Sequence, residues 1–136
     1  MKSFTYHAPK DVKDASKLAS SSSAFLAGGM TTIPSMKLGL ASYKDVIDIK
    51  NIKKLSGIKV SGKTVTIGAT TKHAEVASSK DVKKAIPALA KLAGNIGDAQ
   101  VRNRGTIGGS ISNNDPSACY PSACMALNAV IHTNKR

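Results

Sequence analysis

The chain has 136 residues, 41% of them apolar, no Trp, and 20 Lys and Arg against 8 Asp and Glu, for a formal net charge of +12. That length supports one modest core or two small lobes sharing an interface. With no apolar run of about twenty residues and no apolar N-terminal leader, the sequence excludes a transmembrane helix and a secretory signal and reads as cytoplasmic.

Phe4-Thr5-Tyr6 reads as a short strand, and Asp11 as the cap of a helix running to about Ala19, with Val12, Ala15, Leu18 and Ala19 on one face. The serines at 20–23 read as a loop, and residues 24–27 (Ala-Phe-Leu-Ala) as a buried strand that ends in a glycine pair, a common place for ligand loops in α/β folds. Pro34 fits the first turn of a helix through Leu40, and residues 46–49 (Val-Ile-Asp-Ile) fit the next strand. This β-α-β-α-β order predicts a small parallel sheet. Residues 57–68 instead alternate around Ser61-Gly62-Lys63, which predicts an antiparallel hairpin. A boundary near residues 53–57 therefore divides the chain into lobes at 1–55 and 56–136. In the second lobe, Thr70 or Thr71 can cap a short helix containing Ala74, Val76 and Ala77. Pro87 begins a helix with an apolar stripe of Leu89, Leu92, Ala93 and Ile96. A second glycine loop at 105–112 follows, then a helix at 121–127 and a strand at 129–132. No internal repeat is evident.

Two segments carry the chemistry: Ala27-Gly28-Gly29-Met30-Thr31-Thr32 and Gly105-Thr106-Ile107-Gly108-Gly109-Ser110. Each joins two glycines, which let a backbone approach a ligand closely, to hydroxyl residues that hydrogen-bond an oxyanion. Together they suggest a diphosphate-containing cofactor held from two sides by successive N–H groups. The net charge invites a nucleic-acid reading, but the lysines are scattered from Lys50 to Lys91 and almost no aromatics interleave with them, so a solvated basic surface is expected. The same field can draw in an anionic cofactor or an acidic partner. Cys119 and Cys124 lie five apart, a spacing that suits neither a CxxC redox pair nor a metal knuckle, and reduced thiols are expected.

The stretch Gln100-Val101-Arg102-Asn103-Arg104-Gly105-Thr106-Ile107-Gly108-Gly109-Ser110 resembles the signature of the FAD-binding medium subunit of the molybdenum hydroxylases, the carbon monoxide dehydrogenase, xanthine dehydrogenase and nicotinate dehydrogenase group. Three further stretches are similar in order and spacing. They are Ala27-Gly28-Gly29-Met30-Thr31 with Pro34-Ser35-Met36-Lys37; Ile67-Gly68-Ala69-Thr70-Thr71-Lys72-His73-Ala74; and Asn114-Asp115-Pro116 with Pro121 and Ala126-Leu127. The resemblance covers essentially the whole chain. It implies an α+β, two-lobed FAD-binding fold of the vanillyl-alcohol-oxidase (PCMH) type, in which a small parallel βαβ lobe precedes a mixed, antiparallel α+β lobe and FAD lies between them.

Carried over by position, Ala27, Gly28, Gly29, Met30 and Thr31, with Thr106, Ile107, Gly108, Gly109 and Ser110, would contact the FAD pyrophosphate and neighbouring groups. The resemblance further implies an electron-transfer subunit. A molybdopterin-binding large subunit would oxidise the substrate, an iron–sulfur small subunit with [2Fe-2S] clusters would relay electrons, and the flavin would pass them to an external acceptor. No catalytic side chain and no metal ligand are expected on this chain.

Arg102 and Arg104 can steady their loop, approach phosphate or form surface ion pairs. His73 reads as a capping or surface residue, Met30 and Met36 as packing residues, and Asp115 as a turn cap before Pro116 in preference to a residue that reaches the cofactor. Two departures from the family pattern stand out. Cys119 occupies a position where many relatives carry an acidic residue that would accept a flavin hydroxyl, and a thiol is a weaker acceptor. Relatives also continue through further strands and a C-terminal domain, so this sequence is expected to be an N-terminal part. The competing expectations are a flavin-free scaffold that docks partner subunits and, from charge alone, a basic nucleic-acid-binding module.

Overall fold

The structure is a computed structural model that describes residues 1–134. Its first half alternates strand and helix: β1 (Thr5–His7), α1 (Val12–Lys17), β2 (Ser23–Leu26), α2 (Thr32–Lys37) and β3 (Asp45–Asp48). The strands form a parallel sheet in the order β1-β3-β2. Each strand is too short to pair without help, and β3 takes the centre because Val46, Ile47 and Asp48 are all buried. Helix α1 begins where the Asp11 carboxylate accepts the Asp14 N–H at 2.8 Å, and Ala15 packs on Ile47 and Ile52 to make a first small core. A one-turn 3₁₀ helix, Lys53–Leu55, leads out of this unit.

The second half opens with the antiparallel hairpin β4 (Ile58–Ser61) and β5 (Thr64–Ile67), turned at Gly62 with φ of +56°. Six short helices follow: α3 (His73–Ser78), α4 (Lys80–Ala85), α5 (Pro87–Gly94), α6 (Ala99–Arg102), α7 (Ile107–Asn113) and α8 (Cys119–Ala126). Val76, Val82, Leu89, Ala90, Ala93, Ile107 and Tyr120 form the second core, against which the inward residues of the hairpin pack. No helix among the described residues is long and apolar enough to cross a membrane.

The hairpin is tied to the end of the first unit through two threonines. The Thr70 hydroxyl donates to the Leu55 carbonyl at 2.9 Å; the Thr71 hydroxyl accepts from the Gly57 N–H at 3.0 Å and donates to the Gly57 carbonyl at 3.1 Å. Neither threonine caps α3, contrary to the expectation from sequence. Both are buried, and the backbone of residues 55–57 offers them partners that the helix end does not. Two other expectations change. Strand β2 lies at the sheet edge, so Phe25 is 48% exposed and the strand is not buried. Residues 129–132 form no strand, because no neighbouring strand supplies their hydrogen bonds among the described residues; Val130 and Ile131 lie exposed. Helices α4 and α6 escaped the apolar-stripe criterion. Their visible signals were the caps Ser79 and Asp98, whose side chains accept the Val82 and Val101 N–H groups.

Replacing Thr71 by Val keeps the shape and removes both Gly57 bonds. We expect a loss of about 0.5–1.5 kcal/mol in denaturant unfolding, the usual net worth of a hydrogen bond, because Gly57 is exposed and its carbonyl still accepts the Gly68 N–H. A loss below about 0.5 kcal/mol, the range of an ordinary surface substitution, would mean the threonine does not hold the hairpin.

Candidate cofactor site

The two glycine segments meet. Gly28, just beyond the C-terminal end of β2, lies so close to Arg104 and Gly105 that a Cβ added to it would sit 2.8 Å from the Gly105 Cα and nearer still to the Arg104 carbonyl oxygen. Only glycine fits there. The next residue, Gly29, has φ of +74°, a left-handed conformation that glycine adopts without steric cost. The amides of Gly28, Gly29 and Met30 donate to no protein acceptor among the described residues. Successive free amides around a left-handed residue form a concavity that favours anions.

The second segment has the same composition and a different structure. Thr106 is the N-cap of α7, its hydroxyl accepting the Gly109 N–H at 3.2 Å, and Gly108 and Gly109 lie in the first helical turn instead of in a loop. The Ile107 N–H donates to the Thr71 carbonyl at 3.0 Å, the Gly108 N–H to the Ala69 carbonyl at 2.9 Å, and the Ser110 N–H to the Thr106 carbonyl at 3.0 Å. A Cβ on Gly108 would lie 2.5 Å from the Ala69 Cβ, so this glycine serves the close approach of α7 to the turn after the hairpin. The amides of residues 107–110 are engaged by protein. The segment presents outward the half-buried Ser110 and the exposed Gly109.

Between the segments and the second core stands His73, at the start of α3 and 5% exposed. It is neither a cap nor a surface residue. Its N–H donates to the Gly105 carbonyl at 3.0 Å, and a Cβ on Gly105 would lie 2.5 Å from its Nε2. Its ring lies 5.4 Å from the ring of Tyr120, which is fully buried. His73 Nδ1 and the Tyr120 hydroxyl are buried without a partner among the described residues. Burial pushes the His73 pKa down and the Tyr120 pKa well up, so the imidazole and the phenol are both neutral near pH 7.

The charged groups at the C-terminal end of the parallel sheet complete the site. Asp48 is 3% exposed; its carboxylate accepts from the Tyr6 hydroxyl at 2.6 Å and pairs with the Lys50 ammonium at 2.7 Å. Burial raises its pKa, but the hydrogen bonds from Lys50 and Tyr6 outweigh that, and the carboxyl stays below the usual range. The two arginines part company. Arg102 donates to the carbonyls of Ile96 and Gly97 at 3.1 and 2.9 Å, a structural clamp on the turn before α6. Arg104 is exposed; its backbone N–H donates to the Val101 carbonyl at 3.1 Å, and its guanidinium has no hydrogen-bonding or carboxylate partner among the described residues. Asp115 holds its turn, accepting the Ser117 N–H at 2.8 Å. Met36 is buried as expected, whereas Met30 is 40% exposed at the first loop. Both cysteines are free, and no group of three or more potential metal ligands occurs among the described residues.

A family model described as the FAD binding domain in molybdopterin dehydrogenase matches residues 2–136. The chain belongs to this family. It is 44% identical over 129 residues to the carbon monoxide dehydrogenase medium chain of Hydrogenophaga pseudoflava, covering 93% of this chain and 45% of that one. It is 43% identical over 106 residues to the glyceraldehyde dehydrogenase medium chain of Sulfolobus acidocaldarius, covering 78% and 38%. The solved structure of the Hydrogenophaga pseudoflava carbon monoxide dehydrogenase lacking the Mo-pyranopterin moiety superposes with a TM-score of 0.89 at 45% identity, over 90% of this chain and 44% of that one. The chain thus spans less than half the length of these relatives. FAD is the cofactor of this domain. The donor set suits it: free loop amides, a close-packed glycine backbone and nearby cations, with the Asp48 carboxylate already paired.

Because His73 is neutral when buried, the unfolded chain binds more protons than the folded one as pH falls below the ordinary histidine pKa of about 6.5. Stability is full above that pH and declines below it until the lower folded-state pKa is passed. We expect unfolding free energy to drop as pH falls from 7 to 5, and His73→Leu to remove most of that slope. An unchanged slope in His73→Leu would assign it to other groups.

Proposed function

We propose that this domain holds FAD between its two lobes, residues 1–55 and 56–136, as the electron-transfer subunit of a molybdopterin-dependent hydroxylase or dehydrogenase. The observation that carries the reading is the close contact of Gly28 with Arg104 and Gly105, beside free amides that have no protein partner. In this reading Ala27, Gly28, Gly29, Met30 and Thr31 receive the diphosphate through backbone N–H groups. Thr106, Ile107, Gly108, Gly109 and Ser110 supply the opposite wall, by shape and through the Ser110 hydroxyl. FAD, when bound, supplies the redox chemistry. The protein's residues bind and orient it, and none of them acts as nucleophile, acid or base.

The wider assignment follows the relatives, which are medium chains of dehydrogenases. A molybdopterin-binding large subunit and an iron–sulfur small subunit carrying [2Fe-2S] clusters are the proposed partners. Electrons pass from the clusters through the flavin to an external acceptor, and the complex works in the cytoplasm.

Titration with FAD, read by flavin absorbance and quenching of flavin fluorescence, tests the cofactor reading. Gly29→Asp puts a carboxylate at the diphosphate position, and we expect FAD affinity to fall at least tenfold, about 1.4 kcal/mol. Gly39→Asp is the matched control: Gly39 has φ of +76° and open space around it, so it carries the same backbone strain away from the loop. Equal affinity in both variants, or a folded wild-type chain that takes up no flavin, would overturn the reading; the second outcome would favour a flavin-free docking scaffold.

A further inference from the structure

The two segments contribute unequally to anion binding, and this asymmetry picks out a side chain. The amides of residues 107–110 are consumed by Thr71, Ala69 and Thr106, so the second segment brings little positive potential through its backbone. The first loop brings free amides, but amides are only partial charges, and a diphosphate carries two full negative ones. Lys50 and Arg104 are the two cations to weigh for the remainder. Lys50 is bound at 2.7 Å to the buried Asp48, so its charge is largely neutralised locally. Arg104 has no carboxylate partner among the described residues, and its carbonyl oxygen packs on Gly28. Its charge is felt at Lys50, where it opposes the pKa rise caused chiefly by the Asp48 hydrogen bond. An exposed guanidinium within electrostatic reach of a second cation, with no anion of its own, has an unmet electrostatic requirement that a bidentate phosphate satisfies.

We propose that the Arg104 guanidinium is the principal cationic ligand for the diphosphate of the bound cofactor, with Arg102 confined to clamping its own loop. This rests on the FAD reading above and assigns within it the charge that selects a phosphorylated flavin. Gly28 then has a second role. By allowing the Arg104 backbone to lie against the first loop, it sets the cation and the free amides side by side, so one bound group can engage both.

The test compares FAD with riboflavin, which carries the same ring system without phosphate, as titrants of the 136-residue chain by fluorescence quenching at several salt concentrations. In Arg104→Gln we expect FAD affinity to fall about tenfold, the scale of one charge-assisted contact. Its salt dependence should become shallower, while riboflavin binding stays unchanged. Arg104→Lys should recover part of the loss, because it restores charge without the planar fork. Lys63→Gln, at the exposed hairpin turn, removes one charge elsewhere and should leave FAD binding as in wild type. Wild type that binds FAD with Arg104→Gln binding equally well overturns this inference alone. So does an equal loss for riboflavin and FAD. Wild type that is folded by circular dichroism and binds no FAD overturns the cofactor reading itself.

Discussion

One backbone contact organises the site: Gly28 against the Arg104 carbonyl and Gly105. It joins the end of a strand in the parallel sheet to the segment that starts α7, and so it links the two hydrophobic cores through main chain instead of through side chains. Because both surfaces are backbone, the contact is short and leaves little room for adjustment. The other face of the second segment is fixed just as closely, with Gly108 on Ala69 and Gly105 on His73. The segment is therefore clamped between the first loop and the turn that follows the hairpin. Ordering is completed by folding, and a ligand meets a preformed surface, which lowers the conformational entropy lost on binding.

Charge at the site follows from the same arrangement and not from the net charge of +12. Most of the lysines are exposed, and their effect is screened within about 10 Å at moderate ionic strength. Asp48 is different. Buried at the end of β3, it needs partners, and Lys50 and Tyr6 supply them from the neighbouring loop and strand. That pairing removes the carboxylate that would repel a phosphate. On the proposed assignment it leaves the first loop to Arg104 and the free amides, a local balance that composition does not reveal.

The alternation of strands and helices, the hairpin and the helix starts at Asp11 and Pro87 were legible because each depends on residues near in sequence. The site was legible in outline only. Gly28-Gly29 and Gly108-Gly109 look alike as sequence, yet one pair leaves its amides free and the other lies in a helical turn with its amides bonded. What separates them is tertiary: the carbonyls of Ala69 and Thr71 lie beneath Ile107 and Gly108, and nothing local announces that. Thr106 followed by Gly109 did carry the helix-start signal of a hydroxyl three residues before an amide it can accept, but the glycines concealed it. His73 and the two threonines before it were missed for a related reason. Their partners, Gly105, Leu55 and Gly57, lie across the fold and not along the chain.

The glycines of the two segments accordingly protect different things. At Gly28 and Gly108 a side chain would meet backbone or a packed Cβ and force the segments apart, so the joining of the two cores is at stake before any ligand arrives. At Gly29 the nearest obstacle is the end of the Ile33 side chain, which can move, and the constraint is the left-handed φ. At Gly109 the nearest atom is the hydroxyl of its own cap, Thr106. Substitutions at the first pair act on the site through the fold, whereas Gly29 acts on the anion concavity directly. Since a ligand that binds only the folded state stabilises it in proportion to its occupancy, FAD partly offsets damage at Gly28 or Gly108 by mass action. On the proposed assignment it offsets less at Gly29, where the damage would be to its own affinity.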